Sequence, residues 1–444
     1  MREAVSVVLK YQNEIFMVQR QNYLKAFPGY HSFPGGKVDE GDEAFAFSWP
    51  KWTMEEKHLG ACRRELQEEI NFDIEKALNE GNVIDCKHLG SAHTPAFNPY
   101  RYKSDFFLIE LNKKIEFDLD ENEASWGGWK KAEEFNELYQ MGKILGVPPT
   151  IKLINNLANN QKNPPWNIDF LYDEENEVPC ISSIKGVEQL IPLSNTLPPA
   201  SRTNCFYLGD EGRKKVLVDP SPKDLKEYER LLNTIKDKPL DEIFLTHHHI
   251  DHREHAQKMA IEKQVPMGMS ALTKKYIEKT DPEYLKNIEI NIYQEGDVLT
   301  HWLGKEIKTI EVPGHDNGQL ALMPDCRSWC LVGDLIQGIG TVVVSPKPEG
   351  SMSAYFKSLK KIINLNPKII YPSHGIAMGG VFRLEQTLEH RQKREDKVLE
   401  LLQKNLSVDE MLKEIYPDLD ERLVPFAKVN IVGHIEKLEE EQAI

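Results

Sequence analysis

Residues 246–252 read T-H-H-H-I-D-H and follow directly on an apolar run, I-F-L. Side chains on an extended segment alternate in direction, so His247 and His249 point the same way and can grip one ion together. Asp251 and His252 fall where the chain turns and can grip a second. Neutral imidazole and carboxylate are the ligands zinc prefers, and they also serve iron and manganese. His248 lies on the opposite face and reads as structural, as do the isolated His255 and His301.

Further ligand types sit in turns that follow apolar runs. His315 lies in V-P-G-H-D-N-G, Asp334 in L-V-G-D and His374 in Y-P-S-H-G. With the first motif they make five histidines and two aspartates, enough for two metal ions with one bridging carboxylate. Short β-rich runs ending in such turns, interleaved with helices, imply an α/β layered fold with its site at the strand ends.

A second constellation lies upstream. F-P-G-G-K-V-D-E-G-D at 33–42 is followed by R-R-E-L-Q-E-E-I at 63–70. Glu65, Glu68 and Glu69 fall at i, i+3 and i+4 and share one helix face. Three close carboxylates repel unless cations sit among them, and Mg²⁺ or Mn²⁺ on diphosphate oxygens is the natural partner. Arg64 can fix a glutamate or a loop. Gly35 and Gly36 allow a tight loop against the helix, and Arg20 can meet a phosphate.

The chain has 444 residues, which at roughly 150 per domain suggests two or three domains. Residues 1–160 mix alternating strands (4–8, 14–18, 102–109) with the charged helix. Residues 161–180 are rich in Pro, Asn and acids and read as a linker. Residues from 390 onward read as helices, and Ser407 with Glu410 resembles a capping box. The net charge of −15 argues against broad, charge-driven nucleic-acid binding. Six scattered cysteines without CxxC pairs fit a reduced set. With no signal-like N-terminus and no long apolar run, a cytoplasmic protein without a membrane partner is expected.

The histidine motifs, in this order, resemble the metallo-β-lactamase fold superfamily, in its two-metal hydrolase branch that includes glyoxalase II. The resemblance implies an αββα sandwich. It gives His247, His249 and His315 to one metal, Asp251, His252 and His374 to the other, and Asp334 to the bridge. The metals, zinc or iron or manganese, would generate a hydroxide nucleophile near neutral pH, with Asp251 among the catalytic groups. The family's H-x-H-x-D-H-x-G-G departs here, since Glu254 and His255 replace the glycines. P-L-S-N-T-L-P-P-A-S-R-T-N-C-F at 192–206 and the tail resemble, more narrowly, the β-lactamase-like protein 2 family. That likeness implies a winged helix after the lactamase fold, and single-stranded RNA cleavage is one of the family's activities. The tail from Leu384 carries nine Lys and Arg against fifteen Asp and Glu. A nucleic-acid-reading helix is normally basic, so a structural or substrate-wall role is expected.

The upstream pair resembles the Nudix family, whose box reads G-x5-E-x7-R-E-U-x-E-E-x-G-U and whose fold is an α/β/α sandwich. Asp42 stands where the box has glutamate, Asn71 where it has glycine, and about 14 residues are inserted within 44–59. The insertion and R-Q-N-Y-L-K-A-F-P-G-Y-H-S-F-P-G-G at 20–36 resemble the peroxisomal coenzyme A diphosphatase branch. The family rule makes Glu65, Glu68 and Glu69 catalytic metal ligands for Mg²⁺ or Mn²⁺, and lets Arg20, Gly35 and Gly36 meet the substrate.

The expected layout is a Nudix domain over 1–160, a linker over 161–185, a metallo-β-lactamase-fold domain over 186–383 and a winged-helix-like tail over 384–444. The expected activity is twofold. The second domain would cleave a thioester or related acyl bond, and the first a nucleoside-diphosphate compound such as coenzyme A or its acyl derivative. The alternative is an endoribonuclease on single-stranded RNA with a regulatory or binding Nudix domain.

Overall fold

Apolar residues at both alternations of a strand require cover on both of its faces. The strand Arg2–Tyr11 has this pattern: Val5, Val7 and Leu9 enter one core and Val8 another. In the computed structural model, which describes residues 1–98, 101–338 and 340–442, it lies inside a six-stranded sheet. It pairs in parallel with Tyr102–Leu111 and antiparallel with Glu14–Arg20. The helix Glu56–Ile70 covers one face, and Ala132–Gln140 with Pro148–Ala158 covers the other. The result is an α/β/α sandwich.

The inserted residues extend this core. Phe47, Trp49 and Trp52 stack in series, ring centroids about 6 Å apart, and Trp52 stacks on Phe107 at 4.4 Å. Residues 161–172 lack regular structure, yet Trp166 and Ile168 are buried in the core beside Pro148–Ala158. The chain divides into two compact units: 1–172 with 181–185, and 173–180 with 186–444. The stretch read as a linker is thus partly packed, because its one tryptophan and an isoleucine gain more from burial than from exposure.

The second unit stacks a seven-stranded and a six-stranded sheet. Helices Leu225–Thr234, Ala256–Lys263 and Ala271–Thr280 cover the first sheet. Met352–Leu365 and the start of Phe382–Gln403 cover the second. This is the αββα sandwich. After it, Phe382–Gln403, Val408–Ile415 and Val424–Glu440 pack around Val398, Leu401, Met411 and Ile431. Ser407 and Glu410 form a reciprocal capping box at the start of Val408–Ile415. Among the described residues, no helix is long and apolar enough to cross a membrane.

Candidate functional site

The strand Glu242–Phe244 delivers its chain to one edge of the sandwich, and the six-stranded sheet delivers three more turns there. Parallel pairing sets part of the geometry. Leu331 faces Tyr371 across Cys330–Leu331 and Ile369–Tyr371. Asp334 and His374 each follow three residues later and leave the sheet side by side. Their facing atoms, Asp334 Oδ1 and His374 Nε2, are 3.4 Å apart.

Two trios form. His249 Nδ1 lies 3.0 Å from His247 Nε2 and 2.9 Å from His315 Nε2. Asp251, His252 and His374 offer ligand atoms within 4.8 Å of one another. Asp334 spans them, with Oδ2 3.7 Å from His315 Nε2 and Oδ1 3.5 Å from His252 Nε2. The seven residues singled out in the sequence therefore converge, although up to 127 positions separate them.

Proton positions follow from the partners of the opposite ring nitrogens. A carbonyl can only accept, so His315 Nδ1 donates to Val343 O at 2.6 Å and His374 Nδ1 to Arg202 O at 2.8 Å. His252 Nδ1 donates to Asp219 Oδ2 at 2.9 Å. Thr246 Oγ1 donates to the same carboxylate at 2.6 Å and accepts from His247 Nδ1 at 3.0 Å. In each neutral ring this leaves the inward Nε2 with a lone pair, as metal-bound histidines require. The buried atoms His252 Nε2, His374 Nε2 and Asp334 Oδ1 have no hydrogen-bond partner. Buried polar atoms without partners are costly, and three aimed at one point fit a divalent cation. The donor set suits zinc, iron or manganese.

The electrostatics differ between the trios. Burial, then the neighbouring histidines, holds His247 well below the usual imidazole range, and burial pushes His249 down to about 3. Burial also disfavours charge on His252 and His374, but Asp334 and Asp251 outweigh it and carry both upward. The carboxylate-bearing trio thus attracts positive charge, while the all-histidine trio offers neutral lone pairs.

Asp219 and Asp316 escaped the sequence reading. Asp219 ends V-L-V-D, the same apolar-run-then-acid signal that marked Asp334. Its strand Val216–Val218 runs parallel to Glu242–Phe244, which sets it beside Thr246. Asp316 pairs with His248 Nδ1, and the His248 ring lies 4.7 Å from that of His249, so these three form a further cluster beside the first trio. At the family's glycine position, His255 adopts φ 62°. Arg253 is buried, donates to His248 O at 2.8 Å and lies over the Tyr284 ring.

In the first unit, Gly35 takes φ 142° and a Cβ there would meet Val5 O at 2.2 Å, so only glycine fits. Its N–H donates to Glu69 Oε2 at 2.9 Å, and a Cβ on Gly36 would strike the Glu65 carboxylate. The F-P-G-G loop therefore lies directly on the glutamate helix. Burial lifts Glu69 to about 8 and Glu65 upward, the Gly35 N–H opposing the first and Arg64 the second. Arg64 grips Asp42 through two bonds at 2.8 and 3.1 Å, so the shorter acid at the box position still pins the loop. Asn71 ends the helix at φ 50°, a conformation asparagine tolerates.

Glu65 and Glu69 face the loop, but Glu68 is 60 % exposed and turns to Arg64 at 3.1 Å. The structure thus gathers two of the three glutamates against the loop and leaves the third at the rim. Arg20 donates to Ala26 O at 3.3 Å and lies close enough to Glu69 to favour its charged form.

Residues 1–145 match the family model of the NUDIX domain, 198–374 that of the metallo-beta-lactamase superfamily, and 407–444 that of the beta-lactamase associated winged helix domain. A Drosophila melanogaster protein named beta-lactamase-like protein 2 homolog is 27% identical, over 54% of this chain and 82% of its own. An Aspergillus fumigatus protein named atrochrysone carboxyl ACP thioesterase is 25% identical, over 45% of this chain and 60% of its own. The solved structure of a beta-lactamase domain protein from Burkholderia ambifaria superposes with a TM-score of 0.51 at 18% identity, covering 61% of this chain and 90% of that one, which is a likeness of fold. The chain is a metal-dependent hydrolase that joins a Nudix domain to a metallo-beta-lactamase superfamily domain and its associated winged helix.

Proposed function

We propose that this chain carries two hydrolytic sites, one for an acyl thioester and one for a nucleoside-diphosphate linkage, with an acyl-coenzyme A as the compound that offers both bonds. In the second unit His247, His249 and His315 would hold one divalent ion, Asp251, His252 and His374 the other, and Asp334 both. The observation that carries this reading is Asp334 presenting one oxygen to each trio. Divalent ions held there supply Lewis acidity toward the scissile group and lower the pKa of water toward neutrality. The protein's own part is orientation. Val343 O, Arg202 O, Asp219 and Thr246 fix four imidazoles with their lone pairs inward. Asp251, with its side chain 17 % exposed against 6 % for Asp334, is the more accessible of the two carboxylates.

In the Nudix unit, Glu65, Glu68 and Glu69 would hold Mg²⁺ or Mn²⁺ against the diphosphate, the Gly35–Gly36 loop would close on them and Arg20 would meet a phosphate oxygen. The burial of Glu65 and Glu69 beneath that loop supports the assignment. In this reading 1–160 serves the diphosphate, 186–383 the acyl bond and 384–444 forms a wall, while 161–185 joins the first two and in part packs into the first unit. The thioesterase name of the Aspergillus relative supports the acyl reading. The net charge of −15 weighs against a polyanionic substrate such as RNA.

The test is hydrolysis by purified, zinc-loaded protein of an acyl-coenzyme A and of a short single-stranded RNA, each in Mg²⁺ and in EDTA. Thiol release that disappears in Asp251→Ala, with RNA intact, is the expected result. RNA cleavage without thiol release would replace the thioester reading with an endoribonuclease.

A further inference from the structure

The strip 342–347 has no regular secondary structure, so its backbone groups need partners from outside. Two helices of the tail supply them. Asn430, buried on Val424–Glu440, accepts from Val344 N at 3.0 Å through Oδ1. Arg391, buried on Phe382–Gln403, donates to that same Oδ1 at 3.1 Å and also to Val342 O. Between these two anchors lies Val343, whose carbonyl takes the Nδ1 proton of His315. Farther along, Lys347 N donates to Glu436 Oε2 at 3.3 Å.

The anchors are themselves braced. Buried Glu395 accepts from Lys437 Nζ at 2.7 Å and pairs with His434 Nδ1 at 3.2 Å, tying the two helices together one and two turns beyond Asn430. A second route leads to the other side of the site. Arg391 lies 5.4 Å over the Tyr355 ring, and Tyr355 Oη donates to Leu335 O at 2.7 Å, one residue after Asp334.

We propose that the helical tail is a working part of the metal centre, with Asn430 and Arg391 as positioning residues that set the Val343 carbonyl and, through it, the tautomer and aim of His315. The inference rests on the reading of His315 as a ligand. A one-sided apolar contact would hold the tail in place without fixing that carbonyl. Two polar side chains gripping the residues immediately before and after it define its direction. Groups that orient a metal-bound histidine typically change metal affinity by about 10–100-fold when removed.

The experiment uses the full chain loaded with Co²⁺ and reads its visible absorption together with metal retention against a chelator. Asn430→Leu removes the acceptor, and Asn430→Asp keeps it. Asn430→Leu is expected to weaken one of the two bound ions by about 10–100-fold and to alter the cobalt spectrum, with Asn430→Asp close to the unaltered protein. Leu401→Ala, which loosens the tail's apolar core without touching the strip, should lower the melting temperature and leave the spectrum unchanged. Native affinity and spectrum in Asn430→Leu would overturn the proposal. His315→Ala separates the two readings: if it too keeps both ions, the ligand assignment has failed rather than the positioning. Should Asn430→Leu not fold, Asn430→Ser is judged by the same criteria.

Discussion

Glu69 and Asp334 are both buried carboxylates at helix or turn positions facing a cluster, yet their environments drive them apart. Asp334 has His374 and His252 beside it and stays far below the usual range although burial opposes this. Glu69 has burial, a single backbone N–H and more distant charges, and rises to about 8. A carboxyl raised above its unfolded value of 4.5 binds more protons folded than unfolded between those two values. Metal-free stability should therefore fall as pH climbs through that window. The same proton must leave before Glu69 can hold a cation. Mg²⁺ affinity of the Nudix unit is expected to rise from pH 6 and level off above about 8, with proton release measurable by calorimetry in buffers of different ionisation enthalpy. A flat pH profile would mean Glu69 is not a ligand. The seven candidate ligands could be picked out at residue scale because imidazoles and carboxylates in turns after apolar runs are unusual, and the structure brings them together. Asp219 carried the same signal and was missed, since its role is to hold Thr246 and His252 rather than an ion.

At the scale of elements, the departures from the family patterns turn out to be conformationally conservative. Asn71 takes the left-handed turn that the Nudix box gives to glycine, and Asp42 keeps the bond to Arg64. His255 takes a left-handed conformation where the lactamase motif has glycine. A side chain in that region is strained by about 1 kcal/mol, so His255→Gly should raise thermal stability by up to about 1 kcal/mol, read by denaturant or thermal unfolding. A loss instead would show that the ring's contact with Tyr228, 5.9 Å between centroids, outweighs the strain. The insertion before the glutamate helix was visible as extra length. Its stacked Phe47, Trp49 and Trp52 were not, because which faces those rings share depends on Phe107, more than fifty residues away.

On the scale of the whole molecule, each candidate site is built from residues of one compact unit. The two activities should therefore separate by mutation. Asp251→Ala is expected to abolish acyl hydrolysis and leave diphosphate turnover, while Glu68→Gln with Glu69→Gln should do the reverse. Parallel assays on the same preparations check both. Unchanged diphosphatase turnover in the double variant would make the Nudix unit a binding module. Loss of both activities in either variant would mean that one site serves both reactions.

By itself the sequence determined the chemical inventory: seven candidate ligand residues in four turns, three glutamates on one helix, the glycine loop and an α/β layered arrangement with its site at the strand ends. These are local patterns, set by side-chain alternation and helical spacing. The tertiary structure alone decided which of them meet. Parallel pairing of Leu331 with Tyr371 brings Asp334 beside His374 across forty residues, and parallel pairing of Val218 with Phe244 brings Asp219 beneath Thr246. Asn430 reaches the strip that aims His315. No local spacing encodes these contacts, because strand register and helix docking are fixed by the packing of cores assembled from distant segments.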